Sequence, residues 1–254
     1  MTVSGRMGVE EHRNWNDVDY SKLLSGRAFP PDFMWGVATA SHQIEGGNTN
    51  NWTRFEPRSK SGQESGDACD HWNRKEQDIE LIKDLNVTHY RFSLEWSRIE
   101  PEMGTWNQDA IDWYSDLVDQ LLHNGIQPMV TLHHFTNPLW WEDLGAFEDE
   151  ANILYWIRFC SKMFEVLSDR VEWWCTINEP AVYASMGYVL GEFPPGERSF
   201  KKTRQVSLNL MRAHARCYRT LKSMEHGATR KIGLVKNINL FDPYRQWNPL
   251  HRFQ

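Results

Sequence analysis

The sequence predicts an α/β fold in which strands and helices alternate around one parallel sheet. Short runs of β-branched and aromatic residues recur, and longer segments with apolar residues at helical spacing lie between them. No linker or low-complexity tract divides the chain. Repeated βα units with right-handed crossovers therefore predict one domain at residues 29–254, after a polar, irregular extension at residues 1–28.

Five strands are predicted, at residues 33–40, 88–94, 127–133, 171–175 and 232–235. A loop rich in Gly, Asn and Ser follows the first strand to about residue 70. Four apolar stripes then mark helices: Ile79, Ile82 and Leu85; Ile111, Tyr114, Leu117, Val118, Leu121 and Leu122; Ile153, Ile157, Cys160, Phe164 and Leu167; Leu210, His214, Tyr218 and Leu221. Asn107 is placed to cap the second helix, and Asn124-Gly125 to end it.

Composition narrows the function classes. The net charge of −6 argues against nucleic acid and anionic membranes as partners, and no apolar run is long enough to span a bilayer. The four cysteines are far apart and form no C-x-x-C pair, so neither a disulfide nor a metal site is expected. We expect no cofactor and a reducing, cytoplasmic location. The 13 tryptophans suit sugar stacking, although a Trp-rich core would give the same count.

Polar side chains stand near the ends of four successive strands: Gln43, Arg91, His134 and the pair Asn178-Glu179. In a (βα)₈ barrel the carboxyl ends of the strands carry the active site. The segment Thr-Ile-Asn-Glu-Pro at residues 176–180 places an amide beside an acid, and its proline is expected to turn the chain into a loop. The amide can bind a sugar hydroxyl while the acid protonates a departing oxygen.

Each of these residues also has an ordinary structural interpretation. Gln43 could satisfy loop amides, Arg91 could pair with Glu95, and a histidine at a strand end is often simply packed and hydrogen-bonded. An Asn-Glu-Pro turn is common by itself. Their placement at four successive strand ends favours a hydroxyl-binding pocket over four separate coincidences.

Five ordered motifs resemble glycoside hydrolase family 1, which includes the β-glucosidases. They are F-x-W-G-x-A-T-A-S-x-Q-I-E-G at residues 33–46, A-C-D-H-W at 68–72, Y-R-F-S-x-x-W-S-R-I at 90–99, T-L-H-H-F at 131–135 and T-I-N-E-P at 176–180. The resemblance runs from about residue 29 to the end. It implies a (β/α)₈ TIM barrel, of which this chain covers about strands 1–5.

The resemblance also implies roles for individual residues. Glu179 matches the general acid/base, and Arg91 the arginine beside the nucleophile. The positions that match substrate-binding residues are Gln43, His134 and Asn178, with Trp140 as an aromatic near the mouth of the site.

Several positions depart from the family pattern or lack a family role. Phe135 and Thr136-Asn137 replace residues common in the family, which affects only the fine shape of the pocket. Glu45 belongs to the family pattern in a structural role, and Glu95 stands at a variable position.

The family nucleophile, a Glu in a T-E-N-G motif after strand seven, does not occur in this sequence, nor does the sugar-binding Glu-Trp pair after strand eight. A retaining glycosidase needs two carboxylates about 5–5.5 Å apart. The first hypothesis is therefore a retaining β-glycosidase acting on a β-glycoside or oligosaccharide, whose nucleophile lies outside this sequence. The alternatives are a non-catalytic sugar-binding or scaffold protein and a decayed product with no stable fold. Open strand edges predict self-association or pairing with a missing half-barrel.

Overall fold

The computed structural model describes Gly26 and residues 28–239. The contacts along the chain define two units, residues 1–34 and 35–254. In the described part of the first unit, the Phe33 N–H donates to the Pro30 carbonyl at 3.0 Å. The rings of Phe29 and Phe33 lie 4.5 Å apart. The second unit contains the sheet and its helices.

The described part of the second unit holds one sheet of five parallel strands. They are Gly36–Ala38 (β1), His89–Ser93 (β2), Gln127–His133 (β3), Trp173–Asn178 (β4) and Lys231–Val235 (β5). Each strand pairs with the next one along the chain, in the order β1-β2-β3-β4-β5. This topology confirms the predicted α/β class and the number of strands.

Long helices connect the strands, and shorter helices lie in the loops. The helices are Ser41–Ile44 (α1), Asn51–Phe55 (α2), His71–Asp84 (α3), Trp96–Ile99 (α4), Gln108–His123 (α5), Leu139–Asp143 (α6), Ile153–Leu167 (α7), Pro180–Ser185 (α8) and Phe200–Ser223 (α9). Tighter 3₁₀ turns occur at Glu56–Arg58, Ala146–Glu148 and Glu150–Asn152, and α8 continues into a π-helical turn at Met186–Leu190.

Two strand predictions need correction. The first strand is shorter than residues 33–40, because only residues 36–38 pair with β2 and the Ser41 N–H already donates to the Ser93 hydroxyl at 2.8 Å. The fourth strand runs on past Cys175, since Asn178 still pairs with Val235 after an irregularity in the ladder.

The proline after β4 does not lead into a loop. Pro180 is the first residue of α8, a position where its missing N–H is no loss and its fixed φ suits the helix. Asn107 does cap α5 as predicted, accepting from the Ala110 N–H at 3.3 Å. The first predicted stripe overran its helix, because Leu85 lies just past the end of α3 with 62% of its surface exposed.

The core lies between the sheet and the long helices, and it is rich in aromatic rings. Trp96, fully buried after β2, packs against Trp141 and Phe159 with ring centres 4.7 and 5.0 Å away. Trp174 of β4 packs on Phe164 of α7 at 4.8 Å. Tryptophan therefore serves largely as core material here. Within the described residues, no helix is long and apolar enough to cross a membrane.

Candidate functional site

The junction of β4 and α8 places an amide and an acid side by side. Asn178 is the last residue of β4 and is 3% exposed. Glu179 takes a left-handed conformation, with φ of 41° and ψ of 62°. Its N–H donates to the Val235 carbonyl at 2.8 Å, and its own carbonyl accepts from the Tyr183 N–H at 3.0 Å. The backbone at Glu179 is therefore tied to β5 on one side and to α8 on the other.

Arg91 links three neighbouring strands. Its Nε donates to the Thr131 hydroxyl of β3 at 2.9 Å, and Nη2 donates to the Asn178 side-chain oxygen of β4. It does not pair with Glu95, whose carboxylate accepts instead from the Ser41 hydroxyl at 2.9 Å. Among the described residues Arg91 has no acidic partner, so its charge is held by neutral oxygens.

His134 stands at the end of β3 as a neutral imidazole. Burial lowers the pKa of His134 to about 3, and the positive charge of Arg91 and the neighbouring His133 lower it further. Its Nδ1 is buried and has no hydrogen-bond partner in the part of the chain that the structure describes. A neutral ring with a free nitrogen can exchange a hydrogen bond with a sugar hydroxyl.

Gln43 and His134 line one cleft of about 400 Å³. One wall of it is aromatic: the rings of Trp52 and Phe193 lie 4.8 Å apart, and those of Phe135 and Phe193 lie 5.7 Å apart. The Gln43 side chain forms no hydrogen bond to another described residue. The cleft therefore offers an amide, an imidazole and flat apolar faces.

Sequence reasoning did not identify Trp52 and Phe193 as lining residues. Both lie in segments interpreted as plain loops, outside any strand pattern. The available signal was the presence of large aromatic residues in polar loops, where core packing is not expected to place them. Trp52 is fixed there by donating from Nε1 to the Phe135 carbonyl at 3.2 Å.

Glu179 borders a second cleft, of about 380 Å³. Its lining is mostly apolar and includes Pro180, Met211 and Leu234. The Asn237 side chain approaches Glu179 Oε1 at 3.5 Å. Among the described residues that line this cleft, Glu179 is the one carboxylate. A side chain supplied from outside these residues would be needed to place a second acid here.

Trp140 is not brought to either cleft. Its indole N–H donates to the Glu100 carbonyl at 3.0 Å. Its ring packs edge-on against Trp96 and Tyr155, with centres 5.6 and 5.7 Å away. The side chain thus holds α6 against α4. The described residues contain no group of three or more His, Cys, Asp or Glu side chains that could bind a metal ion.

Comparison with known proteins identifies one family throughout. The family described as glycosyl hydrolase family 1 matches residues 25–251. Beta-glucosidase A of Thermotoga maritima is 39% identical over 230 residues, which are 87% of this chain and 51% of that protein. The cytosolic beta-glucosidase of Homo sapiens is 40% identical over 210 residues, 78% of this chain and 45% of that protein. The chain spans about half the length of the curated relatives it matches.

Solved structures give the same result. A beta-glycosidase from Pyrococcus horikoshii is similar with a TM-score of 0.79 and 43% identity, covering 86% of this chain and 51% of that one. Beta-glucosidase from Thermotoga maritima in complex with deoxynojirimycin gives a TM-score of 0.82 at 37% identity, covering 89% and 53%. These similarities confirm the predicted barrel class, with this chain spanning about half of such structures.

Proposed function

Because the chain belongs to glycosyl hydrolase family 1, we propose that it provides the sugar-binding and acid/base part of a retaining β-glucosidase-like site. The observation that carries this proposal is the end of β4. There the Asn178 amide is fixed by Arg91, and Glu179 follows it directly. The fixed amide is set to bind a hydroxyl next to the bond that Glu179 would cleave.

The reaction needs two carboxyl groups. Glu179 would donate its proton to the glycosidic oxygen while a carboxylate from outside these 254 residues attacks the anomeric carbon, forming a glycosyl ester and releasing the alcohol. Glu179, now ionised, would then take a proton from the water that hydrolyses the ester. Arg91 has no acidic partner among the described residues, so its charge is available to hold the nucleophile in its ionised form.

The other polar groups bind the sugar. Asn178, His134 and Gln43 present an amide, a neutral imidazole and a second amide, which suit neutral hydroxyls better than a charged substrate. The aromatic faces of Trp52 and Phe193 suit the apolar face of a ring or of the leaving group. The Thermotoga maritima relative has been solved with deoxynojirimycin and with castanospermine, and glucose-like iminosugars are therefore the first ligands to test.

A second candidate is sugar binding without turnover. Glu179 is the one carboxylate among the described residues that line its cleft. A protein with this half alone would bind a sugar and leave it intact.

A chimaera tests the role of Glu179. Residues 35–238 would replace the matching segment of Beta-glucosidase A, which supplies the remaining strands. We expect the chimaera to hydrolyse aryl β-glucosides. Glu179→Gln should slow a phenyl glucoside by about 10²–10⁴-fold and a dinitrophenyl glucoside much less, because only the poorer leaving group needs a proton.

Glu172→Gln is the matched control. Glu172 lies on the same strand region but pairs with Lys231 at 2.8 Å at the other end of it, and about half of its side chain is exposed. This variant should keep both rates. Equal losses on the two substrates in Glu179→Gln would contradict the acid/base role, and a folded chimaera that binds deoxynojirimycin without any turnover would favour the second candidate.

A further inference from the structure

Two carboxyl groups are buried together behind α1. Glu45 follows the last residue of α1 and is 2% exposed, and Glu95 follows β2 and is 0% exposed. Neither lies in the clefts of the proposed site. The sequence gave no reason to place two acids of separate motifs in one part of the interior.

Both acids are held by named partners. Glu95 accepts from the hydroxyls of Ser41 at 2.9 Å and Ser97 at 2.7 Å. Glu45 accepts from the Tyr114 hydroxyl, and its other oxygen lies 3.3 Å from Arg98 Nε. The two sites are joined, because the Tyr114 oxygen accepts from the Glu95 backbone N–H at 2.8 Å.

The charges around Glu45 do not balance. The titratable or charged groups facing it are Glu95, Arg98 and Tyr114, with Tyr90 and the His71–Asp78 pair across a small internal cavity. Among these described groups Arg98 is the one permanent cation.

The single cation is also shared. Arg98 Nη2 donates to the Gly46 carbonyl and to the Asn48 side-chain oxygen, each at 2.6 Å. Two ionised carboxylates would therefore leave one buried charge without a full partner, which is costly in a protein interior. Burial and the charge of Glu95 raise the pKa of Glu45 to about 8, outweighing the opposing effects of Tyr114 and Arg98.

We propose that Glu45 keeps its proton near neutral pH, and that this neutral carboxyl holds α1, and with it Gln43, in position beside the cleft. The helix has four residues and is fixed at both ends. Ser41 is bound to Glu95, and Glu45 is bound to Tyr114 and Arg98. A second buried anion at Glu45 would repel Glu95 and loosen both ends.

Glu45 is thus a positioning residue. Only the consequence for sugar binding rests on the proposed function, since the protonation and the order of α1 can be measured without a sugar.

Thermal unfolding as a function of pH tests the protonation. A folded Glu45 that binds its proton more tightly than the unfolded chain stabilises the fold fully below the model value of 4.5, and this stabilisation is lost as the pH rises to about 8. The Tm of the wild type should therefore fall more between pH 4.5 and 8 than that of Glu45→Gln. Glu172→Gln, an exposed acid, should keep the wild-type profile. Parallel profiles for wild type and Glu45→Gln would overturn the proposal.

The wild-type protein gives an independent test that needs no variant to fold. Carbon-13 NMR of Glu-labelled chain should show one side-chain carboxyl that titrates near pH 8. No carboxyl titrating above pH 6 would overturn the proposal. Tyr114→Phe removes a donor to the ionised form and should move this titration to higher pH, whereas an unchanged titration would contradict the assigned partner.

Hydrogen exchange tests the positioning role. The Glu45 amide donates to the Ser41 carbonyl at 2.9 Å and reports on α1 directly. After correction for the intrinsic rate, its protection should fall about tenfold between pH 7 and 9 in the wild type and stay constant in Glu45→Gln. Constant protection in both would refute the coupling to α1. Loss of iminosugar binding in Gln43→Ala, with protection unchanged, would support the proposed function separately.

Discussion

Replacing Gly46 by Ala tests the backbone packing of the loop that follows α1. Gly46 has φ of +79°, and a Cβ built on it lies 2.2 Å from the Asp67 carbonyl oxygen and 2.7 Å from its carbonyl carbon. Real Cβ atoms essentially never come within 3.0 Å of another atom. Because the obstacle is backbone, no side-chain rotation can relieve it. Gly47 is the matched control, since it has φ of +61° and open space around its Cβ position.

The magnitude follows from separating strain from overlap. A left-handed conformation costs a non-glycine residue about 1–2 kcal/mol, and the loss of flexibility in the unfolded chain returns about 0.4–1 kcal/mol. Gly47→Ala should therefore destabilise the fold by about 1 kcal/mol or less. Gly46→Ala adds an overlap that costs about 1–3 kcal/mol even in yielding cores. We expect a difference of about 2 kcal/mol between the two variants, or about 4–8 °C in Tm for a domain of this size.

Urea unfolding followed by tryptophan fluorescence measures both variants on one scale. The midpoint should shift with an unchanged slope if only the native state is affected. Equal destabilisation by the two substitutions would refute the assigned contact between Gly46 and Asp67. It would also weaken the positioning argument for α1, because Gly46 accepts a hydrogen bond from the guanidinium that faces Glu45.

Further predictions concern the site and the sheet edges. A polypeptide of these 254 residues should show no burst or turnover on an aryl β-glucoside, and purified activity that disappears in Glu179→Gln would reveal a second carboxylate within it. Arg91→Met should lower the unfolding free energy by about 2–4 kcal/mol in urea titrations, since it leaves the buried oxygens of Thr131 and Asn178 without their charged donor; a shift below about 0.5 kcal/mol would contradict the geometry. His134→Gln should reduce acid sensitivity between pH 3 and 6.5, because the depressed pKa of His134 favours folding only as the pH rises through that window; equal acid unfolding of both proteins would contradict it. Sedimentation should show concentration-dependent association through the β1 and β5 edges, and a monomer at all concentrations would contradict it.

Burial patterns predicted the regular part of the fold well. The bounds of β3 and the cap of α5 at Asn107 followed directly, because a continuous apolar run and a capping side chain are local signals. The short helices were missed because they depend on distant partners. In α2, for example, Asn50 caps the helix while Asn51 accepts from the Asn137 N–H, 86 residues away.

The candidate site was predictable in composition and less so in arrangement. The strand-end rule placed Asn178 and Arg91 on neighbouring strands, and the structure joins them directly. The same rule could not show that Trp140 turns toward the core or that Gln43 and Glu179 face different clefts. Side-chain direction depends on packing around each residue, and single-sequence patterns do not contain it.

Backbone strain gives the final link between fold and site. The described chain has positive φ at several non-glycine residues, and two of them directly follow proposed sugar-binding residues at successive strand ends. Phe135, at φ of 72°, follows His134, and Glu179, at φ of 41°, follows Asn178. A glycine would adopt either conformation at lower cost, by about 1–2 kcal/mol. Phe135 forms part of the aromatic wall and Glu179 carries the proposed acid, so at both positions the side chain explains why a strained backbone is retained.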